Sequence, residues 1–234
     1  GDAPAPARAL DLACGTGEFS LAIAKALSRS HKRVGTPIEA HVKAPAKAPV
    51  EAQVTSTGFV TGDSGRSDLM TKGHVTGVDL SEGMLAVMRE KVAKAGLTEM
   101  ISIEEGDGEN LRFPDNTFDR VTIAFGIRNF ENREKGLREM LRVLKPGGRL
   151  VIRELSRPEN KVIRWFYDLY FLHILPKVGG KVSGDKAAYA YLPASVAAFP
   201  GKKAFMATMR EAGFRTVTHK AFTLGICRMY TGEK

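Results

Sequence analysis

The chain has 234 residues, 43% apolar and 26% charged, with two cysteines and a formal net charge of +9. That length suits one domain, or a domain with an insert, and is enough for a hydrophobic core; Cys14 and Cys227 alone cannot build a disulfide framework, so a reducing cytoplasmic setting is expected. No apolar run approaches the roughly 18 residues of a membrane span, since Val162 to Leu175 is broken by Arg164, Asp168 and His173, and the start Gly1-Asp2-Ala3-Pro4 carries no secretory pattern. The charge is uneven: residues 1–144 hold 19 Lys and Arg against 20 Asp and Glu, whereas residues 145–234 hold 16 against 6.

Residues 8–27 read as a short apolar strand (Ala9 to Ala13), a glycine turn (Cys14 to Gly17) and a helix with Leu21, Ile23, Ala24 and Leu27 at helical spacing. Such a unit opens a parallel α/β fold. From 30 to 73 the texture turns to a low-complexity Lys/Ala/Pro stretch and a Thr/Ser/Gly-rich one, as expected of a flexible insertion. Val75 to Asp79 is the next strand, and Ser81 is the expected N-cap of a helix through Ala95. Ile101 to Ile103 is a strand leading to Gly106-Asp107-Gly108-Glu109, and Phe118 to Phe125 is another. Leu137, Met140, Leu141 and Leu144 mark the buried face of a helix, which Lys145-Pro146-Gly147-Gly148 is expected to stop before a strand from Arg149 to Glu154. An aromatic-rich segment within 157–200 interrupts the alternation. A helix from Lys203 to Ala212 capped by Gly213, and strands near Phe214 to Lys220 and Leu224 to Met229, close the chain. The expectation is a single α/β domain over 1–234: a doubly wound, mostly parallel seven-stranded sheet with a helical, aromatic insertion at 157–200 before its last elements.

Three acids stand at or just beyond strand ends or beside glycines. Asp11 precedes Gly15-Thr16-Gly17, where glycines let the backbone approach a ligand. The third position of a dinucleotide fingerprint is Ser20, which weakens a pyrophosphate reading, and a carboxylate so placed suits a cationic ammonium; an ordinary tight turn is the alternative. Asp79 ends the second strand, where an acid can accept both hydroxyls of a ribose, or could instead cap a helix. Asp107 follows the third, where a carboxylate can accept from an adenine amine. No metal-ligand set is assigned.

Leu10 to Gly17, Val78-Asp79, Gly106-Asp107 and Leu144 to Arg149 resemble the successive motifs of class I S-adenosylmethionine-dependent methyltransferases. Phe113 to Asp119, Phe125-Gly126-Ile127-Arg128-Asn129, His173-Ile174-Leu175-Pro176 and Tyr189-Ala190-Tyr191-Leu192 are similar to the menaquinone and ubiquinone biosynthesis C-methyltransferases. The resemblance covers residues 8–29 and 72–231 and implies S-adenosyl-L-methionine as cofactor and a prenylated quinol as substrate, first of all demethylmenaquinol. By it, Thr16 with Gly15 and Gly17 holds the methionine end, Asp79 the ribose, and Asp107 and Gly108 the adenine side. Ala124 lines the methyl-donor site, where many relatives have serine. Arg128 matches the family's active-site arginine and, with Asn129, is assigned to the quinol oxygen; an ion pair with a surface acid is the structural alternative. His173 is the titratable candidate for a base, or a packed residue. Tyr189 and Tyr191 are assigned to the acceptor pocket, and Trp165, Phe166, Tyr170 and Phe171 to the core or to a wall for the isoprenoid tail.

Members of this family carry a helical segment ahead of the first strand that helps close the methyl-donor site; this chain begins close to that strand, and weaker cofactor binding is expected. The 30–73 insertion joins the first helix to the second strand at the edge of the sheet opposite the ligand crevice, so it is expected to be tolerated. Competing readings are a ubiquinone-precursor enzyme, a methyltransferase for another small aromatic or lipid acceptor, a nucleotide-dependent dehydrogenase, disfavoured by Ser20, and an RNA methyltransferase or binding module. The last lacks a sequence-reading element, so no nucleic acid is expected. The basic C-terminal portion, with Lys177, Lys181 and Lys186, is expected to rest against anionic membrane without insertion.

Overall fold

The computed structural model describes residues 7–32, 73–174 and 186–234. Its strands are β1 (Arg8–Leu12), β2 (His74–Asp79), β3 (Ile101–Glu105), β4 (Phe118–Ala124), β5 (Leu144–Leu155), β6 (Arg215–Phe222) and β7 (Cys227–Glu233), in sheet order β3-β2-β1-β4-β5-β7-β6. The helices are α1 (Glu18–Lys32), α2 (Glu82–Lys94), α3 (Arg133–Val143), α4 (Lys161–Asp168), α5 (Lys186–Ala198) and α6 (Lys202–Glu211). This is the doubly wound α/β sheet expected, with β7 antiparallel to β5 and β6. Most of the 30–73 insertion, and Lys177 and Lys181, lie outside the described residues. Two compact units divide the chain, residues 1–106 and 107–234.

In the first unit β2 runs parallel to β1 and to β3, in the registers Arg8↔His74 and Val75↔Ile101. The last four residues of β1 are buried, as a strand covered on both faces must be. Leu85, Met88 and Val92, at i, i+3 and i+7, turn one face of α2 into a core with Leu21, Ile23 and Ala24 of α1. Ser81 caps α2 as expected, its side chain accepting from the Met84 N–H.

In the second unit α3 buries Leu137, Met140 and Val143, while Leu141 is only half-buried. Leu144 is already extended, with φ −69° and ψ 140°, and belongs to β5. The Lys145 to Gly148 stretch does not separate helix from strand. It lies inside β5, where the register jumps from Phe118↔Leu144 to Arg120↔Arg149, so it forms a bulge. Gly147 at φ 75° turns it, and a Cβ on Gly148 would lie 2.7 Å from the Lys145 carbonyl oxygen. The closing strands also differ from expectation. β7 begins at Cys227, because Thr223, Leu224 and Gly225 all take positive φ and make the reversal from β6. Trp165, Phe166 and Tyr170 are exposed and so do not form core; Phe171 stacks on the buried Tyr167 at 4.2 Å.

Arg142 ties the loop before β4 to α3. Its five N–H donors go to Leu111 O (2.9 Å), Phe113 O (2.8 Å), Asp115 Oδ1 (2.8 Å) and both oxygens of Glu139 (2.8 Å each). The Arg142 bonds, with a further one from the Leu111 N–H, hold the Glu139 carboxyl below the usual carboxylate range. Arg142→Met leaves two carbonyls without their donor and should destabilise the protein by about 2–3 kcal/mol, read as a lower urea midpoint. A carboxylate with a depressed folded-state pKa contributes above its unfolded pKa and loses that contribution as pH falls, so the gap between variant and wild type should narrow below about pH 4.

Candidate functional site

The glycine turn after β1 is held by a carboxylate on the neighbouring strand. Asp79, the last residue of β2, accepts from the Gly15 N–H (2.9 Å) through Oδ2 and from the Ser81 N–H (2.9 Å) through Oδ1. Each oxygen keeps one acceptor position, so hydroxyl groups of a ligand can still be received. Gly15 and Gly17 sit at φ 55° and 83°, a region side chains rarely adopt. A Cβ on Gly17 would fall 2.4 Å from Cγ of Met88, so this glycine is required by packing as well. A Cβ on Gly15 would meet only Met84 Sδ, at 3.6 Å, leaving the turn open to a ligand.

Asp11 lies deeper than its place beside the turn suggests. It is buried and accepts from Ser20 Oγ at 2.6 Å, so the serine that breaks the dinucleotide fingerprint joins the end of β1 to the first turn of α1. Thr16 Oγ1 accepts from Lys91 Nζ at 3.1 Å, and Lys91 also pairs with Glu18. Cys14 points into the core with its thiol 3.5 Å from Met88 Sδ. Burial, reinforced by the Asp11 and Asp79 charges, pushes that thiol far above its ordinary range.

In the second unit Asp107 is exposed, and its Oδ1 accepts from the Glu109 N–H at 2.8 Å, while its Oδ2 has no protein partner among the described residues. Gly108 is a glycine because of Phe130, whose ring would lie 2.5 Å from a Cβ there and equally close to one on Gly136. Ala124 closes β4, half-buried, and Phe125 follows at φ 60°, a strained position for an aromatic residue.

The short helical turn at Ile127–Asn129 carries Arg128 and Asn129. Arg128 pairs with an acid, but a buried one: Nη1 donates to Glu154 Oε1 at 2.9 Å, the two side chains being 11% and 0% exposed. Nη1 also donates to the Phe125 carbonyl and Nε to Ser195 Oγ at 3.3 Å. The two N–H groups on Nη2 have no protein partner among the described residues. Asn129 Oδ1 accepts from the Tyr191 hydroxyl at 2.9 Å, which links α5 to this turn. His173 lies in the π-helical continuation of α4 (Leu169–Ile174) and Tyr189 in α5, but both side chains lie outside the described residues. Asp11, Gly15, Thr16, Gly17 and Asp79 thus gather in the first unit, and Arg128, Asn129 and Tyr191 in the second. Glu154, Ser195 and Phe130 have no part in the sequence assignment; the one hint is that Glu154 is the acid ending the expected strand from Arg149.

The family model described as the ubiE/COQ5 methyltransferase family matches residues 2–234. The chain belongs to that family. Among ubiE/COQ5 proteins, it is 51% identical over 160 residues to the ubiquinone/menaquinone biosynthesis C-methyltransferase UbiE of Geobacter sulfurreducens, a match covering 68% of this chain and 62% of that protein. It is 46% identical over 161 residues to the demethylmenaquinone methyltransferase of Bacteroides fragilis, over 69% and 66% of the two chains. The chain therefore spans a little under two thirds of the length of these relatives. A SAM-dependent methyltransferase from Aquifex aeolicus shares the fold, with a TM-score of 0.56 at 18% identity over 97% of this chain and 81% of that one.

For this ubiE/COQ5 chain the state of Cys14 is directly measurable. At about pH 8.5 an ordinary cysteine is half thiolate, whereas native Cys14 should stay unlabelled by iodoacetamide and react only after unfolding. Peptide mapping by mass spectrometry checks this.

Proposed function

We propose that this chain carries out S-adenosyl-L-methionine-dependent C-methylation of a prenylated quinol, converting demethylmenaquinol to menaquinol. Family membership supports the reaction class, and the similarity to the demethylmenaquinone methyltransferase of Bacteroides fragilis supports the acceptor. The observation that carries the reading is Arg128: an arginine fixed on three sides, with two N–H donors left over, beside an Asn129–Tyr191 pair. That is the donor set an acceptor oxygen would need.

When bound, S-adenosyl-L-methionine supplies an electrophilic sulfonium methyl. The first unit fits it: Asp79 has acceptor positions for the ribose hydroxyls, Gly15, Thr16 and Gly17 offer an open turn for the methionine end, and buried Asp11 positions Ser20 and the start of α1. Taken by itself, the second unit offers Asp107 Oδ2 as an acceptor suited to an adenine amine; Gly108 keeps the proposed adenine-side role and Ala124 the proposed methyl-donor-site role. Arg128 would donate from Nη2 to the quinol oxygen ortho to the reacting carbon, favouring the electron-rich phenolate that makes that carbon nucleophilic. Holding the ring in line and excluding water would supply most of the acceleration. His173 is the proposed acceptor of the ring proton released as the new carbon–carbon bond forms, and Tyr189 and Tyr191 are proposed walls of the acceptor pocket.

Incubation with labelled methyl donor and a panel of reduced demethylmenaquinols, ubiquinone precursors and their oxidised quinones should label the reduced demethylmenaquinol best and the oxidised quinones not at all. Label entering only the ubiquinone precursor would move the assignment to that pathway. Arg128→Leu should lower kcat by about 10²-fold, because an adjacent cation lowers an acid's pKa by about 1–3 units and its loss reduces the reactive phenolate fraction accordingly.

We also infer a peripheral contact with anionic bilayer, from the cytoplasmic side. Among the described residues no helix is long and apolar enough to cross a membrane. The cationic excess lies in residues 145–234, and α4 with its π-helical continuation exposes Val162, Trp165, Phe166, Leu169 and Tyr170 at helical spacing. Aromatic residues on an amphipathic helix flanked by cations suit the headgroup region. Trp165 is 61% exposed and is the chain's only tryptophan. Its emission should shift to the blue with anionic vesicles, and the shift should shrink as salt is raised; unchanged emission would contradict the contact.

A further inference from the structure

Resting on the quinol-methylation reading, we propose that Glu154 is a positioning residue that aims Arg128 at the acceptor oxygen. Glu154 sits near the carboxyl end of β5 with its side chain fully buried. It grips Arg128 at two points: Oε2 accepts from the Arg128 backbone N–H at 3.1 Å, and Oε1 from Nη1 at 2.9 Å. Oε1 also accepts from the Leu155 N–H at 2.8 Å, which fixes the carboxylate to its own strand.

A guanidinium is planar, so two fixed nitrogens determine where the third points. Nη1 is held by Glu154 and the Phe125 carbonyl, and Nε faces Ser195 Oγ. The Ser195 hydroxyl gives its own hydrogen to the Leu192 carbonyl at 2.9 Å, which leaves its oxygen only the acceptor role toward Nε. Three groups from the turn after β4, from β5 and from α5 therefore consume three of the five donors and leave the Nη2 pair in one fixed direction. A buried ion pair is a poor means to stability alone, because apolar residues of similar volume do as well or better. Its distinctive product is a donor pair oriented before the acceptor arrives, and preorganised donors are the ones that lower barriers.

The test uses the full chain, with Glu154→Gln, Arg128→Leu, the double variant and Ser195→Ala. In wild type the Arg128 Nε–H resonance should be resolved and protected from exchange, and in Glu154→Gln it should collapse to the fast-exchanging position of a free arginine. With reduced short-prenyl demethylmenaquinol, Glu154→Gln should lower kcat at least tenfold while the Kd for S-adenosylhomocysteine stays within twofold. In the Arg128→Leu background it should cost less than a further twofold, since there is no guanidinium left to aim. An unchanged Arg128 resonance, a kcat within twofold of wild type, or a full tenfold loss without Arg128 overturns the positioning role. A wild type that methylates no quinol while its Arg128 resonance still depends on Glu154 counts against the function and leaves the positioning intact. Should Glu154→Gln not fold, Ser195→Ala decides: a kcat reduced threefold or more with unchanged S-adenosylhomocysteine affinity supports the role, and a kcat within twofold of wild type overturns it.

Discussion

The ion pair between Arg128 and Glu154 is the constraint around which the second unit is arranged. Burying two charges is costly unless each is matched in geometry and hydrogen bonding, and here the matching groups come from far apart in the chain. The turn after β4 contributes the Phe125 carbonyl and the Arg128 backbone, β5 contributes Glu154, and α5 contributes Ser195. The left-handed backbone at Phe125 belongs to the same arrangement: by turning the chain sharply at the end of β4, it brings the Phe125 carbonyl to Arg128 Nη1. Tyr191, one turn before Ser195 on α5, bonds Asn129, so the helix is joined to the turn at two adjacent residues.

A similar device recurs at other strand ends. Asp79 at the end of β2 receives the N–H groups of Gly15 and Ser81, Asp107 just beyond β3 receives that of Glu109, and Glu154 near the end of β5 receives those of Arg128 and Leu155. In each case a carboxylate orders the loop that follows a strand, satisfying donors that would otherwise be unpaired. Asp79 and Asp107 remain accessible enough to receive a ligand as well. Glu154 is fully buried, and its carboxylate is taken up by Arg128 and the Leu155 N–H.

The alternation of apolar strands with amphipathic helices was legible in the sequence because periodicity and capping agree: Ser81 caps α2, and Gly213 follows α6 at φ 108°. Boundaries were harder. The Lys145 to Gly148 stretch has the composition of a turn, but pairing with β4 draws it into β5 as a bulge, and no local rule announces that. Composition leaves the α4 aromatics open between core and a wall for the isoprenoid tail, and only tertiary context shows that Trp165, Phe166 and Tyr170 stay uncovered. Asp79 and Asp107 were readable since an acid ending or following an apolar strand stands out. Glu154 is such an acid too, yet its partners are 26 and 1 residues away, and Ser195 lies 67 residues from Arg128. A network whose members share no spacing leaves no pattern in one sequence.

The central claim is that a methyl group passes to a ring carbon of a reduced quinol. Incubation with methyl-deuterated S-adenosyl-L-methionine and demethylmenaquinol, followed by tandem mass spectrometry of the product, tests it most directly. The account predicts a trideuterated methyl on the vacant ring carbon ortho to a quinol oxygen, with one equivalent of S-adenosylhomocysteine formed. Deuterium on a quinol oxygen, or none in any quinol product while the chain still binds S-adenosylhomocysteine, would contradict it.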